Sequence, residues 1–287
     1  MTATHSIPHV VGVLGGGRMG AGIAHAFLTK GATVMVVERD HEAAAGAQAR
    51  VADAVAKSAA RGTLNEAPEE AMARFSTSTD YASFIHCGLV VEAVPEDYEL
   101  KVTALKAVET HLPADAYLAS NTSSLSVTGL ANELQRPANF VGLHFFNPVP
   151  ASTLIEVVLA KETSPELAEA AKSWTEALGK TAVVVNDAPG FASSRLGVAI
   201  ALEAMRMVEE GVASAEDIDA AMVLGYKHPT GPLKTTDIVG LDVRLGIAEY
   251  LQSTLGDRFA PPQILRDKVA RGELGRKTGK GFFDWTD

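Results

Sequence analysis

The chain has 287 residues, 47% of them hydrophobic and 21% charged, with a formal charge of −10. That is enough for one large domain or two moderate ones around a sizeable core. The acidic balance argues against a general nucleic-acid binder, and no run of eighteen apolar residues is present to span a membrane. Cys87 is the only cysteine, which excludes an intrachain disulfide and a thiolate zinc cluster and fits a reducing cytoplasm. The opening MTATHSIPHVVGVLGG lacks the basic and apolar regions of a secretory signal.

In chain order, Val10–Leu14 (VVGVL) predicts a buried strand and Met19–Lys30 a helix. Thr33–Glu38 (TVMVVE) predicts a second strand, and residues 41–61 an Ala-rich helix. Leu89–Ala93, Tyr117–Ser120 and Phe140–His144 follow as strands, and Ala182–Val185 as the last one. Their apolar runs are continuous rather than alternating, the pattern of strands covered on both faces of a parallel sheet. Strand–helix repetition of this kind means an α/β doubly wound domain. Asn186-Asp187-Ala188-Pro189-Gly190 then breaks the pattern. Beyond it helices are expected over 191–211, over 214–224 with Ser214 as N-cap and Gly225 as stop, and over 237–255. The reading is a Rossmann-like domain over 1–187 followed by an all-α domain over 188–287.

Gly15-Gly16-Gly17-Arg18-Met19-Gly20 contains G-x-G-x-x-G at 15, 17 and 20. By itself the pattern is weak, but here it follows a strand and opens a helix. In that setting the first glycine permits the tight turn, the second lets backbone approach a pyrophosphate, and the third allows close helix–strand packing. The anion would sit at the helix N-terminus. Glu38, 18 residues after Gly20, ends the second strand where a carboxylate accepts from ribose hydroxyls and repels a 2′-phosphate. NAD is therefore expected over NADP, with Arg39 next door as the counter-indication.

Ser120-Asn121-Thr122-Ser123-Ser124 and His144-Phe145-Phe146-Asn147-Pro148 begin at the ends of strands, where open α/β sheets bind ligands. Removing hydride from an alcohol needs a base for the hydroxyl proton, and histidine suits that role near neutral pH. A carboxylate on its far ring nitrogen would fix the tautomer. Glu156, within Leu154-Ile155-Glu156-Val157-Val158, is a candidate because a carboxylate among apolar residues needs a partner; spacing does not show that the partner is His144. Seven other histidines exist, and the serines could simply cap the next helix. Residues 266–280 hold six basic and two acidic side chains, a stretch that either meets a polyanionic ligand or forms a solvated surface.

The motifs GGGRMGAGIA, VVEAVPED, ASNTSSLS, GLHFFNPVP, LIEVV, DAPGF, EEGVASAEDIDAAM, GYKHPTGPL, DIVGLD and LGRKTGKGFFDW run in order through nearly the whole chain. In them the chain resembles the 3-hydroxyacyl-CoA dehydrogenase family, in particular its 3-hydroxybutyryl-CoA dehydrogenase branch. The resemblance implies a Rossmann-like domain, a helical domain that mediates homodimers, and an active site in the cleft between them. It implies interconversion of (S)-3-hydroxyacyl-CoA and 3-ketoacyl-CoA with NAD. Carried over by position, it makes His144 the general base, Glu156 its partner and Ser123 a hydrogen-bond donor to the substrate 3-oxygen. Gly15, Gly17, Arg18, Met19, Gly20, Glu38, Glu96, Lys101, Asn121, Asn147 and Lys277 would contact NAD or its surroundings. Lys57, Ser58 and Arg61 are available for the CoA moiety.

Two departures stand out. Where the family commonly has asparagine in PGFxxNR, this chain has Ser194, which is shorter and lacks the paired groups of an amide; it is expected to face the cleft near His144. Where relatives often read VMKLVEV, this chain reads Ala151-Ser152-Thr153-Leu154-Ile155-Glu156-Val157. Both bear on acyl preference more than on reaction type. Two other readings remain open on the same scaffold: a dehydrogenase of a free 3-hydroxy acid or carnitine-like alcohol, and an NAD(H)-binding regulator without catalysis.

Overall fold

Two valine-rich pentapeptides, β1 (Val10–Leu14) and β2 (Thr33–Val37), pair in parallel with α1 (Arg18–Leu28) between them in the chain. The structure, a computed structural model, describes residues 6–285. After β2 come α2 (His41–Ala60), α3 (Pro68–Met72) and β3 (Phe75–Ser78). On the other side of β1 lie β4 (Leu89–Glu92), β5 (Tyr117–Ser120) and β6 (Phe140–Phe145), with α4 (Tyr98–Glu109) and α5 (Val127–Ala131) in the connections. β7 (Leu154–Leu159), α6 (Pro165–Ala177) and β8 (Thr181–Asn186) complete an eight-stranded sheet in the order β3-β2-β1-β4-β5-β6-β7-β8.

All neighbours are parallel except β6 and β7. The winding reverses between β1 and β4, so the carboxyl ends of these strands open the crevice in which such sheets bind ligands. The central strands are apolar throughout because both faces are covered: all four residues of β4 and all six of β6 are buried. Short polar side chains start the helices by accepting otherwise unpaired backbone N–H groups. Asp40 accepts from Ala43, Asp97 from Leu100, Ser126 from Gly129 and Ser164 from Leu167.

The chain divides into two compact units, residues 1–188 and 189–287. The second contains α7 (Ser193–Glu209), α8 (Ala215–Ala220), α9 (Pro232–Val239), α10 (Leu241–Leu255) and α11 (Gln263–Ala270) around Val198, Leu202, Met205, Leu233, Leu241, Leu251 and Leu265. Ser214 caps α8 as expected, and a π turn carries the chain to Gly225. The single helix expected over 237–255 is instead two, α9 and α10. Gly240 separates them at φ +109°, a conformation that L side chains rarely adopt. α9 also starts five residues earlier than expected, at Pro232, a favoured first helical residue. Sequence reading missed β3, whose FSTS lacks an apolar run, and did not recognise β7 as a strand because Glu156 interrupts its hydrophobic pattern.

Candidate active site

The glycine loop is built as its spacing requires. Gly15 sits at φ +88°, and a Cβ there would lie 3.0 Å from the Ala93 carbonyl oxygen. A Cβ on Gly20 would come within 1.8 Å of the Gly15 oxygen, so α1 packs against β1 only with glycine at that position. At Gly17 nothing lies within 4 Å, leaving the backbone open to a ligand. No side chain caps α1 and no acid stands in its first turn, so its leading N–H groups remain available for an anion.

A groove of about 1030 Å³ runs past Gly15, Gly17, Arg18, Met19 and Glu38. Glu38 accepts from Gly16 N at 2.6 Å and from Arg39 N at 3.1 Å, which ties the end of β2 to the glycine loop. Arg39 turns away to Asp40, 3.0 Å from its carboxylate. Open glycine backbone, uncapped helix start and strand-end carboxylate together fit a dinucleotide.

Beside this groove lies a buried ionic network. Lys101, 1% exposed, donates to Glu92 Oε1 at 2.7 Å and to the Val94 carbonyl, and stands 3.4 Å from Glu96. Glu92, fully buried, also accepts from Ser120 Oγ and Val94 N. Glu96 accepts from Thr122 Oγ1 at 2.6 Å and from the backbone N–H groups of Ser123 and Ser124 at 2.9 and 3.1 Å. The Ser123 and Ser124 hydroxyls reach it as well, at 3.3 and 3.1 Å. Desolvation works against the charge on Glu96, yet the Lys101 ammonium and these donors outweigh it and hold its pKa below the ordinary value. One carboxylate thus shapes the Ser-rich loop, and Lys101 acts from beneath it. Asn121 accepts from Phe145 N at 2.8 Å, joining the end of β5 to β6.

His144 and Glu156 are direct cross-strand partners in the antiparallel β6–β7 pair, with Nδ1 2.8 Å from Oε2. Both are buried, His144 6% exposed and Glu156 0%. The partner that spacing left open for Glu156 is therefore His144, and it is the chain reversal at β7 that brings them together. The Phe146 ring packs on the imidazole with centroids 4.4 Å apart.

A second cavity of about 340 Å³ is lined by Arg18, Arg50, Lys57, Ser58, Arg61 and Asn147. Four of these six are cationic, the charge a polyphosphate ligand needs. Lys57 donates to Asp53 at 2.6 Å, and Arg50 Nε donates to the Gly16 carbonyl at 2.9 Å. Sequence reading passed over Arg50, although it lies two helical turns before Lys57 and lines both cavities. Ser58 Oγ pairs with Nε2 of the buried His25 at 2.9 Å. Burial, then the nearby Lys180 charge, lowers the pKa of His25.

In the second unit, Ser194 lies half-buried in the first turn of α7. Lys277 donates to both carboxylate oxygens of Asp242 at 2.6 Å. Desolvation opposes ionisation of Asp242, but this contact and two backbone donors hold its pKa below the ordinary value. The basic stretch 266–280 is largely neutralised inside its own unit. Arg266 pairs with Glu249; Lys268, Arg271 and Lys280 surround Glu273. Arg276 stands over the Trp285 ring.

Sheet, glycine loop and strand-end carboxylate define a nicotinamide-dinucleotide oxidoreductase. Residues 10–188 match the family model for the NAD binding domain of 3-hydroxyacyl-CoA dehydrogenase, and residues 190–285 match that for its C-terminal domain. A probable 3-hydroxybutyryl-CoA dehydrogenase of Deinococcus radiodurans is 41% identical over 96% of this chain and 99% of its own. One of Bacillus subtilis is 40% identical over 96% of each chain. The crystal structure of (S)-3-hydroxybutyryl-CoA dehydrogenase from Ralstonia eutropha has a TM-score of 0.93 at 37% identity, covering 98% of this chain and all of that one. The protein belongs to the 3-hydroxyacyl-CoA dehydrogenase family, and NAD is its cofactor.

Proposed function

We propose that the protein interconverts (S)-3-hydroxyacyl-CoA and 3-ketoacyl-CoA, with 3-hydroxybutyryl-CoA as the reference substrate. The observation that carries this is the buried His144–Glu156 pair at the end of β6. A carboxylate only accepts, so the pairing puts the imidazole proton on Nδ1, and Nε2 is the ring nitrogen that would take the 3-hydroxyl proton. Glu156 then stabilises the imidazolium that forms. Bound NAD supplies the hydride acceptor. Ser123 Oγ donates to the 3-oxygen, and Glu96 and Lys101 set the loop that presents it. Lys57, Ser58 and Arg61 take the CoA phosphates, joined by Arg18 and Arg50; Asn147 borders the same cavity. By family position, Ser194 is assigned to the acyl group and Lys277 to the cofactor.

In this reading residues 1–187 are the NAD-binding domain and 188–287 the substrate and dimerisation domain. Homodimerisation is supported by apolar exposure: eight of the eleven exposed large hydrophobic side chains among the described residues lie in the second unit, including Leu196, Ile200, Val239 and Val243. Light scattering on the purified protein tests it. The chain is taken as cytoplasmic, without membrane or nucleic-acid partners; no helix among the described residues is long and apolar enough to cross a membrane.

The deciding assay follows NADH absorbance with acetoacetyl-CoA and with free acetoacetate. Turnover of the thioester alone is expected, and preference for the free acid overturns the CoA assignment. His144→Ala should lose roughly 10²–10⁴-fold in kcat with NADH binding little changed. Near-normal turnover in that variant removes the proposed base.

A further inference from the structure

His25 is a buried titratable side chain that takes no part in the proton transfer proposed above. It lies on α1, only 5% exposed, and its ring Nε2 stands 2.9 Å from Ser58 Oγ on α2. Its Nδ1 is enclosed without a hydrogen-bond partner. Ser58 lines the cationic cavity together with Arg18, Arg50, Lys57 and Arg61, whereas His25 stands behind it and does not border that space. All six residues belong to the first compact unit.

The unpartnered Nδ1 decides how the pair is polarised. Burial, then the Lys180 charge, disfavours the imidazolium, so the ring is neutral and carries a single N–H. A proton on Nδ1 would be an enclosed donor with no acceptor, and orphaned buried N–H groups are rarer than under-satisfied acceptors. With the proton on Nε2, the ring donates to Ser58 Oγ and only a lone pair is left over at Nδ1. The Ser58 hydroxyl proton must then find its own acceptor. The usual outlet for a helical hydroxyl is the carbonyl four residues back, which Thr175 finds at Ala171 and Thr236 at Pro232. Ser58 makes no such bond; among the described residues His25 is the one partner of its hydroxyl. The proton is left for a ligand on the cavity side. Four cations and a hydroxyl donor set in advance suit phosphate oxygens, which accept from both.

We propose that His25 is a positioning residue for the CoA moiety: it holds Ser58 Oγ from behind and thereby leaves the hydroxyl proton to donate to a CoA phosphate in the cationic cavity. This rests on the reading that the cavity takes the CoA phosphates. His25 touches no ligand itself and acts only through Ser58.

The test compares kcat/KM for NADH-dependent reduction of acetoacetyl-CoA and of acetoacetyl-N-acetylcysteamine, a thioester with the same reacting group and no phosphate. Ser58→Ala should lose roughly 10-fold on the CoA thioester, the lower end for a hydrogen bond to a charged group. His25→Leu should lose at least ~3-fold on it, through KM. On the cysteamine thioester neither variant should fall by more than about twofold, the limit beyond which a loss counts as general damage. The double variant should be no worse than Ser58→Ala alone, because residues acting through one contact are not additive. His25→Gln, which can still donate to Ser58, should recover most of the loss. Equal losses on the two thioesters make the role of His25 structural and overturn the proposal, as does a double variant whose losses multiply. If His25→Leu does not fold, Ser58→Ala decides alone, and equal losses there overturn the proposal too. The wild-type protein separates the two levels. If it reduces both thioesters equally well, the CoA reading of the cavity fails and the role of His25 with it; if it favours acetoacetyl-CoA while the variants keep that preference, only the role of His25 fails.

Discussion

Replacing Glu156 by glutamine isolates the charge of the proposed catalytic pair from its geometry. The amide oxygen still accepts from His144 Nδ1, so the imidazole keeps its tautomer, while the negative charge beside the developing imidazolium is gone. Taking charges about 4 Å apart at an effective dielectric of about 20, the lost attraction is about 4 kcal/mol. That corresponds to roughly a 10³-fold loss in kcat if it acts fully in the transition state. Both groups are buried, so salt screens little of it. The assay is 3-hydroxybutyryl-CoA oxidation followed by NADH absorbance. In Glu156→Gln the imidazolium that forms during oxidation loses its negative partner, so kcat should fall while KM for the thioester changes little. NADH affinity measured by fluorescence should hold, which distinguishes a lost step from lost binding. A kcat within about a factor of two of wild type refutes the reasoning.

Glu38→Ala should narrow the preference for NAD over NADP by ~1–2 kcal/mol, read as the ratio of kcat/KM values; an unchanged ratio removes Glu38 from ribose recognition. Lys101→Met leaves Glu92 buried without its cation and should cost about 3–5 kcal/mol in urea denaturation, whereas a loss below about 1 kcal/mol would show that the network contributes little. His25 has a lowered pKa when folded, so the unfolded chain binds the proton more readily. Its contribution to stability is whole above the unfolded value of about 6.5 and shrinks as pH falls from there toward the folded pKa, by at most about 1.4 kcal/mol per pH unit. His25→Gln should flatten that part of the profile, and an equally steep fall in the variant would place the effect elsewhere.

What the sequence disclosed was mostly local. The glycine loop could be read because each glycine answers a constraint within a few residues, and β1, β2, β4 and β5 because burial on both faces leaves an unbroken apolar run. β7 escaped for the converse reason: the residue that gives it chemical meaning, Glu156, is the one that breaks its pattern. That Glu156 meets His144 depends on strand reversal, which no spacing rule supplies. The Glu92–Lys101–Glu96 network was only partly visible. VVEAVPED was recognised as a motif, but Glu92 was read merely as part of a strand, although an acid closing a buried strand with a lysine nine residues on is a usable signal. The break at Gly240 was missed because its effect lies in φ, and a glycine within an otherwise helical stretch does not declare its sign.

The register of β6 and β7 separates two things that usually change together. His144 and Glu156 are fixed opposite one another by the backbone ladder, from Gly142–Val158 to Phe145–Ile155. The connection over 146–153 contributes no residue to that ladder; it is anchored instead by Lys180, which donates to the carbonyls of Val149 and Ser152. Its residues 147–150 line the cationic cavity. The proposed proton-transfer pair is thus held by main-chain bonds, while this border of the proposed substrate cavity belongs to a loop outside the ladder. Ala151-Ser152-Thr153, where this chain leaves the family pattern, falls wholly inside that loop. Grafting other sequences there is a route to new acyl preferences that leaves the proton-transfer pair undisturbed.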